Sequence, residues 1–253
     1  MLNTTTNTTL LNSKQILRSQ LLTLVRSLPS DNRLQQSIAV TNRIIQLPEW
    51  QKSKCIGIYL SMENELQTHL LIQHAFHTQK KILVPKIIGK SYHDMVFYEA
   101  MDEKDISNFP RNRWGIPEPL DTYISQSSSV TNSIVDTTES SSTGPQAMPV
   151  EPQLIKRATT ETIQPSLDLL IVPGVAFDSL CWRMGYGKGY YDNFIRKLRL
   201  IKNSNVTCIG VSLQEQIVSS VPHDSYDEQL DMVVTMNEIY RNTKSDEIIE
   251  VNK

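Results

Sequence analysis

The chain of 253 residues has only nine glycines, only three cysteines and no surplus of basic charge. Each scarcity excludes something. Its 25 Lys and Arg stand against 27 Asp and Glu, a formal net charge of −2, which gives a nucleic acid no electrostatic footprint. No apolar run approaches the length of a membrane span. The opening "MLNTTTNTTLLNSKQILRSQ" has no apolar core of the secretory kind. It lacks acids until Asp31 and is rich in Thr, so a mitochondrial location stays open beside a cytoplasmic one. Cys55, Cys181 and Cys208 lie far apart in sequence. They fit a reduced, intracellular setting and inert packing. A monomer is expected.

What is present reads as alternating helices and strands. Leu17, Leu21, Leu24 and Leu28 recur at helical spacing, with Ser13 as the expected cap and Pro29 as the stop. A second helix is expected after Ser30 or Asp31, with Leu34, Ile38 and Ile45 on its apolar side. Residues 54–61, 81–87 and 94–100 read as strands, and 68–77 as a capped helix. From 121 to 165 the chain is Ser/Thr-rich with little to bury, so a disordered insert is expected. The near-continuous apolar run 167–178 reads as a strand buried on both faces. Tyr191, Phe194, Ile195, Leu198 and Ile201 give a helix, and 206–213 and 230–236 give further strands. The polar tail after Asn242 is expected to fray. These elements predict one α/β domain over 13–240, with a mostly parallel sheet flanked by helices.

Three of the nine glycines fall within five positions, in "WRMGYGKGYYDNF" at 182–194. The order is strand, glycine loop, helix. Glycines let backbone N–H groups turn toward an anion, and the helix N-terminus adds unpaired N–H groups of its own. Lys188 supplies full charge and Arg183 a planar fork. Phosphate is the natural guest. The stretch is no P-loop, because Trp182 and Gly189 stand where glycine and a hydroxyl residue belong. It is no dinucleotide turn, because Tyr190 takes the third glycine's place. A plain structural turn with a solvated lysine fits the same residues. Asp192 alone reads as a partner of the helix dipole.

"PGVAFD" followed by "WRMGYGKGYYD" resembles the 5-formyltetrahydrofolate cyclo-ligase family, also called methenyltetrahydrofolate synthetase. Lys14 with Arg18, "YLSMENE" (59–65), "WGIPEP" (114–119) and "VPHDSYDEQLD" (221–231) extend the resemblance over about 13–120 and 165–237. The resemblance implies a fold akin to sugar-phosphate isomerases and CoA-transferases. It implies ATP-dependent cyclisation of 5-formyltetrahydrofolate to 5,10-methenyltetrahydrofolate, with ADP and phosphate released through a phosphorylated formyl group. It assigns ATP to Lys14, Arg18, Arg183, Gly185, Gly187, Lys188, Gly189 and Tyr191. It assigns the folate to Leu60, Glu65, Trp114, Gly187, Lys188, Gly189 and Tyr190, and chemistry to Lys188, Arg183 and Tyr190. Magnesium falls to Asp192 and Asp227. Tyr186 stands where some relatives carry arginine, and Met184 where leucine is common. The rival readings are a phosphate-binding isomerase on a similar scaffold and a folate-binding protein without catalysis.

Other features carry less. His69, His74 and His77 have no acid or cysteine nearby to complete a metal site. His223 beside Asp224 has no Gly-x-Ser-x-Gly elbow to serve.

Overall fold

In the computed structural model, residues 2–113, 115–119, 157–158, 167–201 and 205–242 are described. The chain begins with α1 (Leu2–Ser27). Pro29 then sets the corner into α2 (Ser30–Gln46). α1 starts well before the expected cap at Ser13. The Ser13 hydroxyl donates to the Thr9 carbonyl at 2.9 Å, a bond inside the helix that leaves nothing to cap. The buried stripe is also offset. Leu21 and Val25 are buried, whereas Leu24 is exposed.

α2 overturns its expected polarity. Leu34 and Ile38 face out, while Arg33, Gln36, Ser37, Val40, Thr41 and Ile44 are buried. Hydrogen bonds make this tolerable. Ser37 donates to the Arg33 carbonyl at 2.6 Å, and Gln36 donates to Glu215 at 2.8 Å. A short α3 (Pro48–Lys52) leads to β1 (Cys55–Ile58), α4 (His69–His77), β2 (Lys81–Ile87), β3 (Met95–Ala100) and α5 (Glu103–Asn108). The expected cap of α4, Thr68, gives its hydroxyl to the Tyr59 carbonyl at 2.7 Å instead.

The expected insert, 121–165, lies outside the described residues except for β4 (Arg157–Ala158), which pairs with Phe97 and Tyr98 of β3. The open edge of β3 offers unpaired backbone groups to any segment that reaches it. The run 167–178 is broken by Pro173 and Gly174 into β5 (Leu169–Val172) and β6 (Ala176–Phe177). β6 forms a separate hairpin with β7 (Arg183–Met184). α6 (Tyr190–Leu200), β8 (Thr207–Val211), β9 (Met232–Val234) and β10 (Ile239–Arg241) complete the chain.

The sheet order is β10-β9-β8-β5-β1-β2-β3-β4. Its five central strands are parallel, and the edges are antiparallel. Every residue of β1 and β5 is buried, because helices cover both faces. Val40, Ile44, Leu71 and Ala75 pack on one face. Phe194, Ile195 and Leu198 of α6 pack on the other, against Phe97 and Leu170. The loops after β1 and β5 emerge on one side of the sheet, the carboxyl ends where open α/β sheets bind ligands.

Candidate active site

A cavity of about 1520 Å³ opens at these strand ends. Its walls come from α1, the loop after β1, the β2–β3 hairpin, the glycine loop and the turn at 224–227. The glycine loop is possible because Gly187 and Gly189 take φ of 91° and 70°, the left-handed region that side chains avoid. Gly189 is also the N-cap of α6. A Cβ on Gly187 would meet Arg18 Cζ at 3.4 Å. The backbone thus runs directly beneath a guanidinium.

Three cations are braced. Arg183 is 4% exposed. It donates to Asp192 Oδ2 at 2.8 Å and to the Pro173 carbonyl at 3.2 Å. Its Nε has no hydrogen-bond partner among the described residues. Asp192 is held in turn by the Glu228 N–H at 3.2 Å. Arg18 donates from Nε to the Gly185 carbonyl at 2.9 Å. Burial pulls its guanidinium below the usual range. Lys14, one turn away, meets Asp227 at 2.5 Å and Asp224 at 3.1 Å. Burial works against the Lys14 ammonium, but the hydrogen bonds it donates to Asp227 and Asp224 outweigh it and the net shift is upward. Lys188 lines the same cavity and is exposed.

Glu65 is 6% exposed. Burial pushes its carboxyl up to about 7, although the Met62 N–H and the Tyr186 hydroxyl both favour its charged form. Both bonds are 2.8 Å. Tyr186 has an exposed ring, but its hydroxyl reaches inward. Burial first, and then the charge of Glu65, raise the Tyr186 phenol well above its ordinary value. Tyr190 donates to the Gly89 carbonyl at 3.5 Å, tying the loop to the β2–β3 hairpin.

The family model of the 5-formyltetrahydrofolate cyclo-ligases matches residues 11–138 and 136–236. The chain belongs to this family. A probable 5-formyltetrahydrofolate cyclo-ligase of Schizosaccharomyces pombe is 33% identical over 215 residues, covering 82% of this chain and 87% of its own. The 5-formyltetrahydrofolate cyclo-ligase of Mus musculus is 29% identical over 223 residues, covering 88% and 93%. The solution structure of Aquifex aeolicus 5,10-methenyltetrahydrofolate synthetase superposes with a TM-score of 0.63 at 24% identity, covering 90% of this chain and 92% of that one. That likeness speaks for the fold.

In this cyclo-ligase family member, every site residue expected from sequence lines the one cavity, apart from Trp114, which lies outside the described residues. Three relationships were not legible beforehand. Tyr186, read as the loss of a cation, bonds to Glu65. Asp224 shares Lys14 with Asp227. Asp178, buried in the turn between β6 and β7, accepts the N–H groups of Leu180, Trp182 and Val221. An acid ending an apolar run, as in "GVAFD", was the available signal for Asp178. Among the described residues no three metal-ligating side chains gather.

Proposed function

We propose that the protein closes 5-formyltetrahydrofolate to 5,10-methenyltetrahydrofolate with hydrolysis of ATP. The observation that carries this is one cavity lined both by cations and by a buried acceptor. Lys14, Arg18, Arg183 and Lys188 supply positive charge, and Glu65 offers a buried acceptor. Phosphoryl transfer needs mainly positioning and charge neutralisation, so the cations are the required kind of wall. Arg183 contributes a fixed charge with Nε left to donate. Glu65 accepts from the donor edge of the pterin, and Leu60 packs against the ring.

The formyl oxygen attacks the γ-phosphorus. An O–P bond forms and the bond to the ADP oxygen breaks. The amide oxygen, now phosphorylated, can leave. N10 then bonds to the formyl carbon, phosphate departs with that oxygen, and the N10 proton is lost. Lys188 and the N–H groups of the glycine loop hold the transferring phosphoryl group, and Tyr190 fixes the loop against the hairpin.

Magnesium belongs to this reading, with Asp192 and Asp227 as the residues that would hold it. The donor set suits the ion, which takes few protein carboxylates and keeps water and phosphate oxygens. Both contacts of Asp227 use Oδ2. Magnesium supplies neutralisation of phosphate charge. A monomer in the cytoplasm completes the reading. The three buried free cysteines support a reducing compartment.

The test is stoichiometry. With ATP, magnesium and 5-formyltetrahydrofolate, one phosphate should appear per methenyl product, followed by its near-ultraviolet absorbance. Folate binding without phosphate release would mark a non-catalytic folate protein instead.

A further inference from the structure

Leu11, Lys14 and Arg18 recur at three and four residues on α1, and all three line the cavity. They form one face of the helix. Two carry charge. Leu11 does not, and it is 60% exposed.

Lys14 clamps the turn at 224–227 through Asp227 and Asp224. That turn is tied at almost every residue. Asp227 Oδ2 accepts the Asp224 N–H at 2.8 Å. Asp224 Oδ1 accepts the Tyr226 N–H at 2.8 Å. Arg196 donates to the Ser225 carbonyl at 2.8 Å. Yet the Tyr226 ring, in the middle of this braced backbone, is 76% exposed and lines the cavity. A rigid turn holding a large aromatic face uncovered is a preformed platform. Its ordering is already met on folding, so a flat ligand need not meet it again.

Its place follows from a chain of contacts. Glu65 bonds to Tyr186. The neighbouring Gly185 carbonyl bonds to Arg18. Arg18 stands one turn from Lys14, and Lys14 holds the turn that carries Tyr226. Tyr226 and Leu11 therefore end the chain that Glu65 begins, with the cations between.

We propose that Tyr226 and Leu11 form the base-binding end of the nucleotide site, Tyr226 stacking on the purine and Leu11 covering it. This rests on the nucleotide reading of the cavity. Phosphates on Lys14 and Arg18, with the terminal group turned toward Glu65, put the base at this end. Stacking uses a face that every purine has, so it sets affinity and not the choice among purines.

The experiment uses the full chain, with Tyr226→Ala, Tyr226→Phe and Leu11→Ala. KM is measured for ATP and for 5-formyltetrahydrofolate, and inhibition by ADP, GDP and inorganic tripolyphosphate, which has no base. Tyr226→Ala should raise the ATP KM and the inhibition constants of ADP and GDP together by about 5-fold or more, the range of one lost stack. Leu11→Ala should do so more weakly. Tyr226→Phe should restore them. The folate KM and tripolyphosphate inhibition should not move. An unchanged ATP KM in Tyr226→Ala overturns the inference. So does an equal loss of tripolyphosphate binding, which would mean that the substitution acts through Lys14, and so does a rise in the folate KM alone. A wild-type protein with no affinity for ATP would sink the nucleotide reading itself, and that is read before any variant.

Discussion

The Tyr186 hydroxyl donates to Oε1 of the buried Glu65 carboxylate at 2.8 Å, while Oε2 takes the Met62 N–H. A carboxyl held at about 7 mainly by burial is poised to change charge near neutrality. If it accepts from the pterin, folate affinity should rise as pH climbs through about 7. Tyr186→Phe removes a bond that favours the carboxylate, so the inflection should move to higher pH. Titrations of 5-formyltetrahydrofolate between about pH 6 and 9 decide this. A flat profile for the wild type would separate Glu65 from folate binding.

Stability carries the opposite sign. The Glu65 carboxyl sits near 7 in the folded chain against 4.5 ordinarily. The folded state therefore favours the protonated form. The Glu65 contribution to stability is largest below about 4.5, falls as pH rises toward about 7 and is then level. Glu65→Gln lacks this titration. Relative to wild type, the variant should gain about 3 kcal/mol between those limits, whatever its offset at low pH. Denaturant unfolding at several pH values measures it. A constant difference would contradict the shift.

Lys188→Ala should keep the fold and lose turnover. The residue is exposed on the loop, so its removal should cost less than about 0.5 kcal/mol in stability. The loss in kcat should be about 100-fold or more, the scale seen when one charge-stabilising donor is removed. Thermal melting beside steady-state kinetics separates the two. Unchanged kcat in a folded variant would take lysine out of the mechanism.

Asp178→Ala should do the reverse. Asp178 is 1% exposed and accepts three backbone N–H groups. Losing the carboxylate strands these donors at the turn of the β6–β7 hairpin, at a cost of about 3 kcal/mol or more. Melting should drop by several degrees. Added ATP and folate should recover part of it, since ligands that bind only the folded state stabilise it.

Much of the fold was legible because β1, β5, β8 and α6 are local patterns. Apolar runs buried on two faces and a helical stripe need no partner to be recognised. α2 was misread because Arg33 is buried through a bond to the Leu28 carbonyl, Gln36 through one to Glu215 and Ser37 through one to the helix's own backbone, none of which apolar spacing reveals. β4 and β10 are edge strands of two and three residues, too short to carry a period. In the site, the glycine loop with Arg183 and Lys188 stood out by residue type at close spacing, whereas Lys14 and Arg18, far away in sequence, were reached only through the family resemblance. The pairing of Tyr186 with Glu65 spans 121 positions. Only the folded chain brings them together.

The central claim is that the formyl oxygen takes the γ-phosphoryl group inside the cavity. Oxygen-18 in the formyl group of 5-formyltetrahydrofolate follows it directly. One labelled oxygen in each phosphate released, read by mass spectrometry of a single turnover, is the predicted result. Unlabelled phosphate beside full conversion to the methenyl product would contradict it.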